Sequence, residues 1–142
     1  MFQKVLIVDD DPFTVTLFEK VSAVAQFAYE VTTCLSAVDG LDYLSGLEER
    51  GEAAPEVIFL DIGMPIVNGW QFLEHLKTLS PSLLLQTKIY MLTASTDQSD
   101  IIRAKKFGIV EDYIVKPITV KRLQGIRADT AVSVMAAPLV HD

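Results

Sequence analysis

Val5-Leu-Ile-Val-Asp-Asp-Asp-Pro12 runs four apolar residues directly into three carboxylates and a proline. A continuous apolar run, rather than an alternating one, suits a strand covered on both faces, as in a parallel sheet flanked by helices. Asp11-Pro12 then reads as a helix start. The aspartate stands at the N-cap, where its carboxylate accepts from unpaired amides, and the proline takes the first helical position, where its missing N–H costs nothing. One octapeptide therefore predicts strand, acidic turn and helix in succession.

Further apolar runs at Val57–Leu60, Lys88–Leu92 and Tyr113–Val115 repeat the strand signal, and Tyr29–Cys34 is a weaker candidate. Between them, Leu17, Val21 and Val24, then Ala37, Leu41 and Leu44, then Phe72, Leu76 and Leu79 recur at helical spacing. Ser36, with Asp39 three residues on, reads as the start of the second helix. A fourth helix would begin at Ser99 and end at Gly108; Ile101 and Ile102 are its only large apolar residues before Phe107. That low contrast marks it as the mobile element. Alternating strands and helices with right-handed crossovers imply an α/β fold, a three-layer doubly wound (βα)5 sandwich around a five-stranded parallel sheet, flavodoxin-like in architecture.

The 142 residues fit one domain, expected over 1–128, with 129–142 extending the fifth helix or forming a tail and no separate output domain. A net charge of -7 and the absence of a basic stripe argue against direct nucleic-acid binding; Lys105-Lys106 and Lys121-Arg122 are only short pairs. The single Cys34 excludes an internal disulfide and reads as a buried thiol. The apolar N-terminal run is too short for a signal peptide, and no segment reaches the ~18 apolar residues of a membrane helix. A cytoplasmic location is expected.

In doubly wound sheets, ligands sit beyond the strand C-termini. Asp9, Asp10 and Asp11 follow the first strand, Asp61 ends the third, Thr93 the fourth and Lys116 the fifth. Three aspartates alone would equally suit a helix-capping loop. Carboxylates gathered at one edge repel unless a cation offsets them, and Mg2+, a hard ion that prefers oxygen ligands, suits such a set. Asp9, Asp10 and Asp61 carry -3, which magnesium and Lys116 would balance.

Val5-Leu-Ile-Val-Asp-Asp-Asp-Pro12, Phe59-Leu-Asp-Ile-Gly-Met-Pro65 with Asn68-Gly69, Met91-Leu-Thr-Ala94 and Lys116-Pro117 resemble, in order, the motifs of response-regulator receiver domains, over about Lys4 to Arg127. The resemblance implies that Asp61 is the phosphoacceptor and that Asp10, Asp9, Asp61 and the Gly63 carbonyl hold magnesium. It further implies that Thr93, the Ala94 amide and Lys116 receive the phosphoryl group, that Thr93 and Tyr113 form the switch, and that Lys116-Pro117 is a cis peptide. The implied partners are a sensor histidine kinase or histidine phosphotransfer protein and a downstream protein target. Dimerisation through the fourth helix, fifth strand and fifth helix is a further implied mode.

Gly63 lacks the longer side chain common two residues after the phosphoacceptor, and Ser95 replaces a frequent acid or amide, which puts the dephosphorylation rate in question. The Gly108–Asp112 loop looks long, and with Gly69-Trp-Gln-Phe-Leu-Glu-His75 it resembles single-domain receivers of Bacteroidetes-type bacteria. Trp70 reads as a packing or surface residue near the pocket and His75 as a structural or solvated side chain. Two competing readings are a haloacid-dehalogenase-type phosphohydrolase, which would need Asp9 and Asp11 as its acid pair, and a pseudo-receiver scaffold that is not phosphorylated.

Overall fold

The computed structural model describes residues 1–94, 99, 102 and 108–129. Strands β1 (Phe2–Val8), β2 (Ala28–Cys34), β3 (Val57–Asp61), β4 (Lys88–Thr93) and β5 (Val110–Val115) form one sheet in the order β2-β1-β3-β4-β5, every pair parallel. The helices are α1 (Pro12–Ala25), α2 (Ala37–Glu49), α3 (Gly69–Leu79), a short α4 (Pro81–Gln86) and α5 (120–129). From β1 the chain steps outward to β2, then crosses to β3 on the other side. The switch point therefore lies between the C-termini of β1 and β3, where the aspartates stand.

Alternate residues of the central strands feed two cores. Leu6, Val8, Ile58 and Leu60 pack with α2 and α3, while Val5, Ile7, Val57 and Phe59 pack with Phe18 of α1 and Leu123 of α5. Phe59 anchors the second core, its ring centroid 4.9 Å from Phe18, 5.8 Å from Phe27 and 5.6 Å from Tyr90. This two-sided burial is what the continuous apolar runs predict. The expected helix starts are present: Asp11 accepts from the Phe13 amide, and Ser36 from that of Asp39.

Four details differ from the sequence expectations. Along α1 the buried residues are Val15, Phe18, Ser22 and Ala25, with Leu17 and Val21 only half-buried and Val24 exposed. Docking the Phe18 ring on Phe59 turns two small side chains, Ser22 and Ala25, toward the sheet, where they allow close approach. Leu79 is exposed because α3 ends there; Pro81 opens α4, and Leu83 supplies the buried contact instead. β5 begins at Val110 rather than Tyr113, across a register irregularity at Ile89/Tyr90, so the supposed Gly108–Asp112 loop is partly strand. As an edge strand it is not covered on both faces: only Ile114 is fully buried.

Of the predicted fourth helix, Ser99, Ile102 and Gly108 are described; Ser99 and Ile102 are helical and exposed, and the rest lies outside the described residues. So do Ser95 and 130–142. Cys34 is a buried free thiol, its pKa pushed up to about 11 by burial and then by Asp39. No helix among the described residues is long and apolar enough to cross a membrane.

Candidate functional site

Strand register assembles the site. Val8 pairs with Leu60, Asp61 with Leu92, and Thr93 with Val115, so Asp9, Asp61, Thr93 and Lys116 arrive at one edge within a residue of each other. Backbone bonds continue the alignment past the strand ends: the Asp9 amide donates to the Cys34 carbonyl (3.0 Å), that of Ile62 to Leu92 (3.0 Å), and that of Lys116 to Thr93 (2.7 Å). The Lys116-Pro117 peptide is cis.

Gly69 fixes how closely the segment after β3 folds back. Its amide donates to the Ile62 carbonyl at 3.1 Å. A Cβ there would stand 2.5 Å from the Asp61 carbonyl oxygen and 3.0 Å from the Ile62 Cα, so only glycine permits this approach. Asn68 starts α3 with a reciprocal capping box, accepting from the Gln71 amide while the Gln71 side chain accepts from the Asn68 amide. The Asn-Gly pair is thus the support on which the Asp61 loop rests.

Carboxylate oxygens of Asp9, Asp10 and Asp61 lie within 4.8 Å of one another. Asp9 is fully buried and Asp61 nearly so, while Asp10 is exposed. Lys116 Nζ stands 2.7 Å from Asp9 Oδ2 and 3.4 Å from Asp61 Oδ1. The Gly63 amide donates to Asp61 Oδ1 at 3.3 Å, and the Asp11 amide to Asp9 Oδ1 at 2.9 Å. Burial, then the charge of Asp9, push the Asp61 carboxyl up to about 6, against the opposing pull of Lys116 and the Gly63 amide. Burial opposes the charge on Lys116, yet Asp9 and Asp61 outweigh it and raise its pKa.

Three carboxylates facing one ammonium leave two negative charges uncompensated. Buried Asp9 Oδ2 has no aligned hydrogen-bond donor beyond the nearby ammonium. A hard divalent cation fits this donor set of oxygens and would supply the missing charge. The site thus lacks positive charge, not ligands.

Thr93 is buried at the end of β4, Ala94 is exposed at the bend after it, and Tyr113 is half-buried against the α2/α3 core. Nothing lies within 4 Å of a Cβ built on Gly63, so that position opens toward solvent. Trp70 is buried in the core, and His75 is exposed on α3. Two exposed apolar side chains were not expected from sequence. Phe13, 74% exposed in the first turn of α1, continues the spacing of Leu17, Val21 and Val24, so the sequence reads it as inward-facing. Ile66 is 95% exposed at φ 66°, a left-handed conformation rare for a β-branched residue, and its sequence gives no sign of it. Between α1 and the segment after β5 runs a groove of about 340 Å³, lined by Phe13, Thr14, Leu17, Lys116, Pro117 and Ile118 among others.

The family model described as the response regulator receiver domain matches residues 5–126. The chain belongs to the receiver family. It is 30% identical to a two-component response regulator of rice, ORR26, over 87% of this chain and 19% of the relative. It is 31% identical to the Regulator of RpoS of Escherichia coli K12 over 82% of this chain and 31% of the relative. It thus spans a fifth to a third of the length of these relatives. The crystal structure of a two-component response regulator from Cytophaga hutchinsonii superposes with a TM-score of 0.84 at 25% identity, covering 90% of this chain and 96% of that one. This receiver carries the family's acidic edge on the parallel sheet that its sequence implies, and the comparisons favour neither competing reading.

Proposed function

We propose that this receiver accepts a phosphoryl group on Asp61 from a phosphohistidine donor and thereby changes its protein contacts. The single observation that carries the reading is the convergence of Asp9, Asp10, Asp61 and Lys116 at the switch point of the sheet. Gly63 and Lys116 both address Asp61 Oδ1, and the second carboxylate oxygen is the attacking atom in this reading. As the O–P bond forms, the P–N bond to the donor imidazole breaks and the imidazole departs with the electron pair. Lys116, moving from Asp9 to the phosphoryl oxygens, neutralises charge as it accumulates there.

A magnesium ion held by Asp9, Asp10, Asp61 and the Gly63 carbonyl would supply the remaining positive charge. Thr93 and the Ala94 amide then donate to the new phosphoryl group. That contact couples to Tyr113, so β5 and α5 report the state to a downstream protein or to a second phosphorylated copy. The apolar groove beside Phe13 and Pro117 seats the helix of a sensor kinase or histidine phosphotransfer protein that carries the phosphohistidine. Residues 1–128 act as one receiver unit in the cytoplasm. The protein assists its own phosphotransfer and dephosphorylation and turns over no other substrate.

Incubation with magnesium and a small acyl-phosphate donor tests this. One hydroxylamine-labile phosphoryl group per chain is expected, absent in Asp61→Asn and strongly reduced by chelation. Labelling that persists in Asp61→Asn, or steady hydrolysis of added phosphate esters by that variant, would overturn the proposal.

A further inference from the structure

Ile66 is disfavoured twice over. The Val67 amide donates to the Pro65 carbonyl at 2.7 Å across Ile66, whose φ is 66°. That is a γ-turn of the rare, strained hand, and a β-branched residue at its centre is an outlier where glycine or asparagine would sit with little strain. The side chain is also 95% exposed. Around it, Met64 is buried in the α2/α3 core, and Ile62 and Val67 pack against that core. The Gly69 amide closes the base of the loop on the Ile62 carbonyl at 3.1 Å. These anchors on either side hold Ile66 outward. A single exposed isoleucine needs no account, but one held in solvent by a strained backbone does, because such strain collects where a protein meets its ligands.

The turn also lies close to the chemistry. Ile66 is three residues from Gly69, a span of at most ~11 Å, and a Cβ on Gly69 would stand 2.5 Å from the Asp61 carbonyl oxygen. A protein donor must centre on Asp61, and covering the ~800 Å² of one side of a standard interface requires a disc about 16 Å in radius, which takes in the turn. We infer that Ile66 is a specificity-determining contact for that donor, its side chain seating on an apolar surface beside the phosphohistidine. The inference rests on the reading of Asp61 as acceptor from a phosphohistidine. The loop packs on the α2/α3 side of the sheet, whereas Phe13 and its groove lie on the α1/α5 side. Apolar contacts on both sides of Asp61 fix the tilt at which the imidazole arrives, and in-line transfer depends on that tilt. A β-branched side chain has few rotamers to lose on docking. A donor that sets a charged group against Ile66 strips water from that charge without pairing it, and is rejected.

Phosphotransfer from a panel of phosphorylated histidine phosphotransfer proteins and kinase dimerisation domains, run beside labelling by phosphoimidazole, tests this on the full chain. Phosphoimidazole offers the same P–N bond with no protein surface around it. Ile66→Asn suits the left-handed turn, so it should resist urea at least as well as wild type, which separates lost contact from lost fold. Its kcat/KM for the fastest protein donor, relative to its rate with phosphoimidazole, should fall about tenfold, the low end of what burying an isoleucine side chain contributes. The loss should lie in KM and not in kcat, and the preference for the fastest donor over the slowest should shrink. Ile66→Leu, apolar on the same turn, should recover most of the rate. A relative kcat/KM and a donor preference unchanged in Ile66→Asn overturn the inference. If phosphoimidazole labels Asp61 while no protein donor does, the inference falls and the acceptor role stands; if phosphoimidazole labels nothing, the acceptor role falls with it.

Discussion

Asp61→Asn should stabilise the metal-free protein at neutral and alkaline pH, although it removes the proposed phosphoacceptor. The Asp61 carboxyl is raised from 3.8 to about 6, chiefly by burial and then by Asp9. A group whose folded pKa lies above its unfolded value favours the fold when protonated. That contribution is fully present below about pH 4 and is lost as pH climbs through about 6. At about pH 8 the ionised side chain therefore costs on the order of 3 kcal/mol relative to its neutral form. Asparagine keeps an acceptor for the Gly63 amide and carries no charge, so it escapes most of that cost. For a chain of this length, the gain corresponds to roughly 10 °C in melting temperature. Urea denaturation in chelator at about pH 8 and about pH 4.5 measures it: the variant should be the more stable at the higher pH, and the gap should narrow at the lower. Magnesium should also narrow the gap, because it stabilises the wild type by mass action, by about 2.7 kcal/mol at a hundred times its dissociation constant. A variant less stable than wild type at about pH 8, or a gain equal at both pH values, would refute the charge argument.

Lys116→Met removes the cation that lowers the Asp61 pKa, so titration of the Asp61 carboxyl followed by carbon NMR should move further upward; no movement would contradict the assigned pair. Gly69→Ala forces a methyl group against the Asp61 carbonyl and should cost about 1–3 kcal/mol in urea denaturation, with slower acyl-phosphate labelling. Phe13→Asp should slow phosphotransfer from a phosphorylated histidine donor several-fold while leaving labelling by a small acyl phosphate unchanged, since Phe13 lines the groove and not the acidic cluster.

The fold was legible because β1, β3 and β4 are covered on both faces, and continuous apolar runs encode that state directly. β5 was misjudged for the complementary reason. An edge strand is set by its single partner, so Glu111 and Asp112 can stand in it unburied. The α1 face was missed because Ser22 and Ala25 are buried for their small size, which no hydropathy period detects. Asp9, Asp61, Thr93 and Lys116 could be placed by counting to the end of each strand, since parallel register carries them to one edge. The support for Asp61 was less visible. In the sequence Gly69 stood out only as half of a motif pair, whereas its lack of a Cβ sets the distance between α3 and the backbone at the end of β3. Ile66 lies beyond sequence reasoning altogether, because its left-handed backbone runs against the preference of its own side chain.

Locating the phosphoryl bond within the chain tests the central claim most directly. Borohydride reduction of the acyl-phosphate-treated protein, followed by peptide mass spectrometry, marks the acylated residue by converting its side chain to an alcohol. The account predicts the mark on Asp61 alone, dependent on magnesium. A mark on Asp9 or Asp10, with Asp61 unmodified, would contradict it.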